Sequence, residues 1–372
     1  MKKIIIGIVG IIIVIWVLIN LNKKEAVSLV SSEPIKIGAV ISLTGFAAPW
    51  GEYARNGINL AVKEINEKGG IDGRMVEVVV EDDQTDPKGS VAAYNKLVSV
   101  NKVHGVIGSV FDFTTQPLLP LAASHKVALI SPSNFRIPGA FELNEQSFVM
   151  LPDFSKVIRE LKTYVAAAKP QKLAVVHYQS GFGKEIAKTL DAVAKESGMS
   201  GIVDSEYAQI GGNDFRTIIA KLKAEKVDAV FLDMVGDDPL NFLVQSKQLG
   251  FKPTFISYNG VTDAFANQTD KSLLEGVIVL NWEVASPTFA ALYKSAYNSE
   301  ATKSVDKYYD AVYVLAEGIA NAKDTASVAS YIEKTTFKSP NNTVVFTKDH
   351  SVESIPVEIN VIKNGVQTPF KQ

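Results

Sequence analysis

Residues 65–87 constrain the fold of this chain more than any other stretch. The segment before them carries apolar residues at helical spacing from Ile58 to Ile65, and Gly69 and Gly70 supply the left-handed backbone that ends a helix. Residues 75–81 are rich in valine, as is typical of a strand. Asp86 and Pro87 then form the N-cap and first position of another helix. The stretch therefore predicts an α-β-α unit.

The same alternation continues along most of the chain. Strands are predicted at residues 35–42, 75–81, 104–108 and 127–130, and in a second series at 173–177, 202–207, 227–233 and 254–257. Helices are predicted between these strands and again at residues 286–297, 308–322 and 326–334. Strands that alternate with helices predict an α/β fold with doubly wound sheets, in which ligands bind beyond the carboxyl ends of the strands.

The first 24 residues form a separate hydrophobic module. Lys2 and Lys3 precede an uncharged apolar run at residues 4–19, which Lys23 and Lys24 follow. A cleaved signal peptide has a shorter apolar stretch and a small-residue cleavage site, whereas a spanning helix needs about 20 residues. We expect an uncleaved anchor at residues 4–21 rather than a signal peptide, with a linker at residues 25–33. Either alternative places the main body outside the cytoplasm, in the periplasm or at the cell surface.

Composition excludes several classes of function. The chain has 372 residues, enough for about two globular domains. Its net charge of −2 argues against a nucleic-acid partner. It contains no cysteine, which excludes disulfides, thiolate catalysis and cysteine-based metal sites.

Several motifs resemble one family. Residues 67–74 (Glu-Lys-Gly-Gly-Ile-Asp-Gly-Arg) and 80–87 (Val-Glu-Asp-Asp-Gln-Thr-Asp-Pro) resemble a signature of the type I periplasmic binding proteins of the leucine/isoleucine/valine class. Similar matches occur at residues 35–45, 106–109 with 114–117, and 130–132. The resemblance extends from about Pro34 into the final sixty residues.

This resemblance implies two Rossmann-like lobes joined by a three-segment hinge, with crossings near residues 149, 281 and 346. Lobe 1 would contain residues 34–149 and 282–346. Lobe 2 would contain residues 150–281 and 347–372. The N-terminal hydrophobic helix would precede both lobes.

No catalytic constellation is found. Residues 178–184 lack the leading glycine of a nucleophile elbow or a phosphate loop. The four histidines share no metal-ligand spacing. Residues 81–83 (Glu-Asp-Asp) suggest either a cation site or, as we prefer, a strand end followed by a solvated turn. We therefore expect no enzyme, no cofactor and no metal.

The resemblance places the candidate binding residues in loops that face the cleft between the lobes. They are Trp50, Val110, Phe111, Asp112, Ser133, Asn134 and Phe135 on lobe 1, and Phe182, Gly236 and Asn259 on lobe 2. Trp50 and Phe182, each flanked by glycine, would close over an apolar ligand from opposite lobes. For Phe111 and Phe135, a role in the core is an equal alternative.

Three of these residues depart from the family pattern. Amino-acid binders of the family hold the ligand's ammonium and carboxylate with a serine, a threonine and a glutamate, whereas this chain has Asp112, Phe135 and Asn259. An aspartate repels a ligand carboxylate but pairs with an ammonium, and phenylalanine removes a hydroxyl donor. We expect an amino-acid-like or related ligand with an apolar or aromatic body, in which Asp112 binds a donor and Asn259 a neutral or mixed group.

The resemblance predicts the substrate-binding component of an ABC importer. Its partners would be a small-molecule ligand, a permease and ATPase complex, and the membrane through the N-terminal helix. Ligand contacts with both lobes would close the hinge. The alternative is a receptor that uses the same two lobes to sense a ligand and signal.

Overall fold

The structure, a computed structural model, describes residues 33–208, 210–265, 270–282, 285–302, 304–353 and 355–370. The predicted anchor or signal peptide at residues 1–24 lies outside the described residues, as does most of the predicted linker. Within the described ranges, no helix combines the length and hydropathy that a membrane span requires.

The first sheet is parallel and has the strand order β2-β1-β3-β4-β5. Its strands are β1 (Ile35–Ile41), β2 (Val76–Asp82), β3 (Gly105–Ile107), β4 (Ala128–Ser131) and β5 (Ser147–Val149). The helices between them are α1 (Ala48–Glu67), α2 (Pro87–Ser99), α3 (Asp112–Thr115) and α4 (Leu119–His125). Except for the edge strand β2, the strands are mostly buried on both faces, as expected of a sheet covered by helices.

The second sheet has the order β14-β13-β10-β9-β8-β6-β7. Its parallel strands are β6 (Leu173–Tyr178), β7 (Val203–Tyr207), β8 (Ala229–Asp233), β9 (Thr254–Tyr258) and β10 (Ile278–Asn281), and its antiparallel edge contains β13 (Glu358–Lys363) and β14 (Val366–Pro369). The associated helices are α5 (Phe154–Ala168), α6 (Gly181–Glu196), α7 (Arg216–Ala224), α8 (Asp238–Gln248) and α9 (Gly260–Ala264).

Both sheets share one winding. Strands β2-β1-β3-β4-β5 and β7-β6-β8-β9-β10 have the same relative order, in which successive strands are first added on one side of β1 or β6 and then on the other side. Ligands bind at such switch points, outside the carboxyl ends of the strands. The fold therefore provides two binding edges, one in each sheet.

The chain returns to the first sheet after β10. The helices α10 (Pro287–Tyr297), α11 (Val305–Asn321) and α12 (Val328–Lys334) follow, together with a hairpin of β11 (Thr336–Lys338) and β12 (Thr343–Val345). Helix α11 packs on α1 and on β1 and β3. The approach is close, because a Cβ added to Gly57 of α1 would lie 2.4 Å from the carbonyl oxygen of Val305.

The predicted α-β-α unit at residues 65–87 is confirmed. Gly69 and Gly70 have φ angles of +94° and +81° at the end of α1. Strand β2 follows, and the Asp86 side chain accepts a hydrogen bond of 2.8 Å from the backbone N–H of Gly89 in the first turn of α2. These local signals act over a few residues, which is why the sequence reveals them.

Residues 114–117 (Thr-Thr-Gln-Pro) predict the start of one helix, and Asn213 and Asp214 predict the cap of another. Both predictions were wrong in detail. The helix expected to open at residues 114–117 begins at Asp112 and is interrupted by a 3-10 turn at Gln116–Leu118. The helix expected to be capped by Asn213 and Asp214 begins at Arg216. Asp214 still accepts a hydrogen bond of 3.0 Å from the Arg216 backbone N–H, so its carboxylate satisfies one donor at the helix start.

Candidate ligand-binding cleft

A cavity of about 120 Å³ lies where the carboxyl ends of the two sheets meet. Its walls include residues that follow β3, β4, β6, β8 and β9. A cavity of roughly 150 Å³ in another protein holds a benzene molecule, so this one suits a ligand of similar size. The two switch points therefore form a single site.

The cavity brings together nine of the ten residues expected to form the site. They are Trp50, Val110, Phe111, Asp112, Ser133, Asn134, Phe135, Phe182 and Asn259. The exception is Gly236, which does not line the cavity, whereas its neighbour Val235 does. Gly236 has a φ of +64°, so it serves the turn after β8.

Trp50 and Phe182 were expected in loops, and that expectation was wrong. Trp50 is the third residue of α1 and Phe182 the second residue of α6. Gly51 explains the position of Trp50, because a Cβ at residue 51 would lie 1.8 Å from the carbonyl oxygen of Ser42. The first turn of α1 thus packs directly on the end of β1, which fixes the indole at the cavity wall.

Seven further residues line the cavity that the sequence reasoning missed: Ile137, Tyr178, Val235, Tyr258, Gly260, Trp282 and Ser304. Tyr178 and Tyr258 are the last residues of β6 and β9. The rule that ligands bind at the carboxyl ends of strands could have found both. Trp282 is the first residue after the end of β10, so the same rule could have found it.

Aromatic rings form most of the apolar wall. The ring centroids of Trp50 and Phe111 lie 5.7 Å apart. Trp282 packs edge-on against Phe135 at 4.8 Å and tilts against Tyr258 at 5.6 Å. Phe135 is only 6% exposed, so the phenylalanine expected at a ligand-binding position is largely a packing residue that supports the wall. The wall can surround an apolar or cationic body.

Asp112 connects the two edges of the cavity. It starts α3 beside the first sheet, and its Oδ1 accepts a hydrogen bond of 3.3 Å from the hydroxyl of Tyr178 at the end of β6. Burial raises the pKa of the Asp112 carboxyl, while hydrogen bonds from the backbone N–H groups of Phe113 and Phe182 and from Tyr178 oppose the shift. Groups at the end of β6 and the start of α6, which belong to the second sheet, therefore hold the carboxylate of Asp112, which lies beside the first sheet.

Asp233 is a second acid beside the cavity. It ends β8, is fully buried, and its Oδ1 accepts a hydrogen bond of 2.5 Å from the hydroxyl of Tyr258. Its Oδ2 has no hydrogen-bond partner among the residues that the structure describes. Burial raises the pKa of Asp233 to about 7, and the negative charge of Asp112 adds to this shift. Sequence reasoning treated Asp233 only as a strand end.

Most polar side chains of the wall already donate their hydrogens to the protein. Ser133 donates to the carbonyl oxygen of Val110 at 2.7 Å. Asn134 Nδ2 donates to Thr115 Oγ1 at 2.9 Å and to Ser131 Oγ at 2.8 Å. Lone pairs therefore remain more available than hydrogens at these positions.

Asn259 follows the same pattern. Its Nδ2 donates to Asn281 Oδ1 at 2.8 Å, while its Oδ1 lacks a partner within the described part of the chain. This oxygen belongs to a residue that lines the cavity. It can therefore accept a hydrogen bond from a ligand.

The acidic stretch at residues 81–83 includes the end of strand β2, as we expected, but two of its carboxylates bind groups of the protein. Asp82 accepts hydrogen bonds from Leu43 N at 2.8 Å and Thr44 Oγ1 at 2.6 Å. Asp83 is fully buried and accepts from the Ser109 hydroxyl, so the expected solvated turn was wrong for this residue. Among the described residues, no group of three or more His, Cys, Asp or Glu side chains could hold a metal ion.

A family model described as periplasmic binding protein matches residues 34–354. The Leu/Ile/Val-binding protein of Escherichia coli strain K12 is 27% identical over 312 residues, which is 81% of this chain and 83% of that protein. The leucine-specific-binding protein of Salmonella typhimurium is 30% identical over 255 residues, or 67% of each chain.

Solved structures show the same fold. The branched-chain amino acid transporter substrate binding protein LivJ from Streptococcus pneumoniae, in complex with isoleucine, aligns with a TM-score of 0.77 at 25% identity and covers 90% of this chain and 98% of its own. A solute binding protein of an ABC transporter from R. palustris, in complex with benzoate, aligns with a TM-score of 0.78 at 18% identity. The alignment covers 90% of this chain and 95% of that protein, and at this identity it supports the fold alone.

Proposed function

Because this chain belongs to the type I periplasmic binding proteins of the leucine/isoleucine/valine class, we propose that it is the extracytoplasmic substrate-binding protein of an ABC importer. It captures a small amino-acid-like or related ligand, with an apolar or aromatic body, in the cleft between two lobes. It then delivers this ligand to a membrane permease and its ATPase. A ligand-binding role, rather than catalysis, is the shared function of the relatives.

The cavity between the two sheets is the observation that carries this proposal. Trp50 and Phe111 line it from the first sheet, and Phe182 and Asn259 from the second. A ligand in this position contacts both sides only when the cleft is closed, so binding favours the closed form. Moving a protein from mostly open to mostly closed requires about 5.5 kcal/mol of differential affinity, which buried aromatic contacts and hydrogen bonds can supply.

The proposed lobes follow the two sheets. Lobe 1 comprises residues 34–149 and 282–346, and lobe 2 comprises residues 150–281 and 347–372. The hinge consists of the three crossings between them. We also propose that residues 4–21 anchor the protein to the cytoplasmic membrane, which would hold it near its permease at high local concentration.

Intrinsic fluorescence tests the binding site directly. The chain has three tryptophans, and two of them, Trp50 and Trp282, line the cavity. In the full chain with Trp16→Phe, all tryptophan emission therefore comes from the proposed site. We expect a saturable change in this emission with at least one compound from a panel of the amino acids, benzoate and small amines.

Calorimetry on the same panel provides the control. A compound that binds by calorimetry without changing the emission of Trp50 or Trp282 would place the ligand elsewhere and contradict the proposed site. The absence of binding by every compound in the panel would contradict the proposed ligand class.

A further inference from the structure

The cavity presents negative charge and hydrogen-bond acceptors without a matching cation. Among the described residues that line it, none is lysine, arginine or histidine, while Asp112 is part of the wall. Asp233 lies behind Tyr258, to which it is hydrogen-bonded. It is close enough to Asp112 for the charge of Asp112 to raise the pKa of Asp233. A ligand must therefore enter a site whose protein charges are negative.

Several of the hydrogens that could hold a ligand carboxylate already bind groups of the protein. The hydroxyls of Tyr178 and Tyr258 donate to Asp112 and Asp233. The backbone N–H of Phe182, at the start of α6, faces the Asp112 carboxylate, which thus occupies the helix end that would otherwise attract an anion. A ligand carboxylate here would meet a like charge instead of a donor.

Two buried side-chain acceptors at or beside the cavity lack a hydrogen-bond partner among the described residues. Asn259 Oδ1 belongs to the cavity wall, whereas Asp233 Oδ2 lies behind Tyr258, outside the lining. Buried polar atoms are usually paired, so an unpaired acceptor at a ligand cavity indicates a donor on the ligand. The faces of Trp50 and Trp282 add a negative aromatic surface, which attracts cations.

We propose that the physiological ligand is an organic cation, an amine or ammonium compound with a small apolar or aromatic body and no carboxylate. This inference rests on the proposed function and names the ligand class of that same cleft. The cationic group lies against Asp112 and the aromatic faces, and the apolar body fills the remaining cavity. The cation replaces the missing counterion of the two acids.

Proton linkage follows from this arrangement. A bound cation favours the ionised form of Asp112 and Asp233, so it competes with protons for these carboxyls. Three other ionisable groups interact electrostatically with Asp112 or Asp233: Tyr178, Tyr207 and Tyr258. The charge of Asp238 also raises the pKa of Tyr207. The tyrosines stay neutral because burial raises their pKa. Affinity for a cation should therefore fall as the pH decreases below about 7, where Asp233 becomes protonated.

The test compares compounds that share one apolar body and differ in charge. Titrations of the full chain with Trp16→Phe use 3-methylbutylamine (cation), L-leucine (zwitterion), 4-methylpentanoate (anion) and 3-methyl-1-butanol (neutral). We expect the amine to bind at least tenfold more tightly than the other compounds. Phenethylamine and L-phenylalanine repeat the comparison for an aromatic body.

Two variants assign the effect to the site. Asp112→Asn keeps the side-chain shape and removes the charge, so it should weaken amine binding at least tenfold. Glu77→Gln, an exposed carboxylate on β2, is the matched control and should leave affinity unchanged. Equal amine affinity in Asp112→Asn and the parent chain would overturn the inference.

The outcomes separate this inference from the proposed function. Tightest binding by leucine or by 4-methylpentanoate, with a change in Trp50 or Trp282 emission, would overturn the cationic ligand and leave the importer function standing. Absence of binding by all these compounds and by every common amino acid would overturn both. Amine binding that weakens as the pH falls from 8 to 5 would support the inference.

Discussion

Replacing Asp233 with asparagine should make the protein without ligand more stable at alkaline pH. Burial raises the pKa of this carboxyl from 3.8 to about 7. Between these two values the folded protein holds a proton that the unfolded chain has lost, so stability decreases as the pH rises from about 4 to about 7. The asparagine variant carries no charge and avoids this loss.

The size of the effect follows from the pKa shift. Each pKa unit corresponds to about 1.4 kcal/mol, so a shift of roughly three units destabilises the ionised protein by about 4 kcal/mol. In the variant, the amide oxygen of the new side chain can still accept the hydrogen bond from Tyr258, but its NH₂ group would replace the unpartnered Asp233 Oδ2 and remain unsatisfied, at a cost of about 1–3 kcal/mol. The net gain at pH 8 is therefore about 1–3 kcal/mol.

Urea unfolding of the parent chain and Asp233→Asn at pH 5 and pH 8 measures this gain. We expect the variant to be more stable at pH 8, and equal or less stable at pH 5, where Asp233 is protonated. Asp349→Asn, at an exposed aspartate, is the control and should show no such change of sign. A stability difference that is the same at both pH values would refute the reasoning.

Three other substitutions test separate parts of the structure. Gly51→Ala should lower the free energy of unfolding by at least about 2 kcal/mol, because the added Cβ would lie 1.8 Å from the Ser42 carbonyl oxygen. Gly181→Ala is the control and should be nearly neutral, because no atom lies within 4 Å of its added Cβ. Urea unfolding measures both variants. Asp86→Ala should cost about 1 kcal/mol through loss of the α2 N-cap, measured in the same way. Trp50→Ala should weaken ligand binding at least tenfold by calorimetry with an unchanged circular dichroism spectrum, and unchanged affinity would contradict its place in the site.

The sequence reveals those features of the fold that depend on near neighbours. Gly69 and Gly70 end α1, and Asp86 caps α2, because these interactions involve residues only a few positions apart. The alternating strands and helices likewise predict two doubly wound sheets. Nine candidate residues reach one cavity because they follow the carboxyl ends of strands, which converge in such a fold.

The features that the sequence did not reveal depend on distant contacts. Ser304 reaches the cavity only because the chain crosses between the sheets after β10 and returns to pack α11 on α1. Asp83 was expected in a solvated turn and is buried, because Ser109 lies beside it from another strand end. Nothing in the local sequence around Asp233 distinguishes a buried acid from an exposed one.

The central claim is that a small ligand is captured between two lobes that close around it. Because the chain contains no cysteine, Lys88→Cys on α2 and Lys247→Cys on α8 can carry spin labels at exposed positions beside the two sheets. We predict a broad distribution of label distances without ligand, and a narrower one centred at the closed separation with saturating 3-methylbutylamine or L-leucine. An unchanged distribution in the presence of a compound that calorimetry shows to be bound would contradict capture by hinge closure.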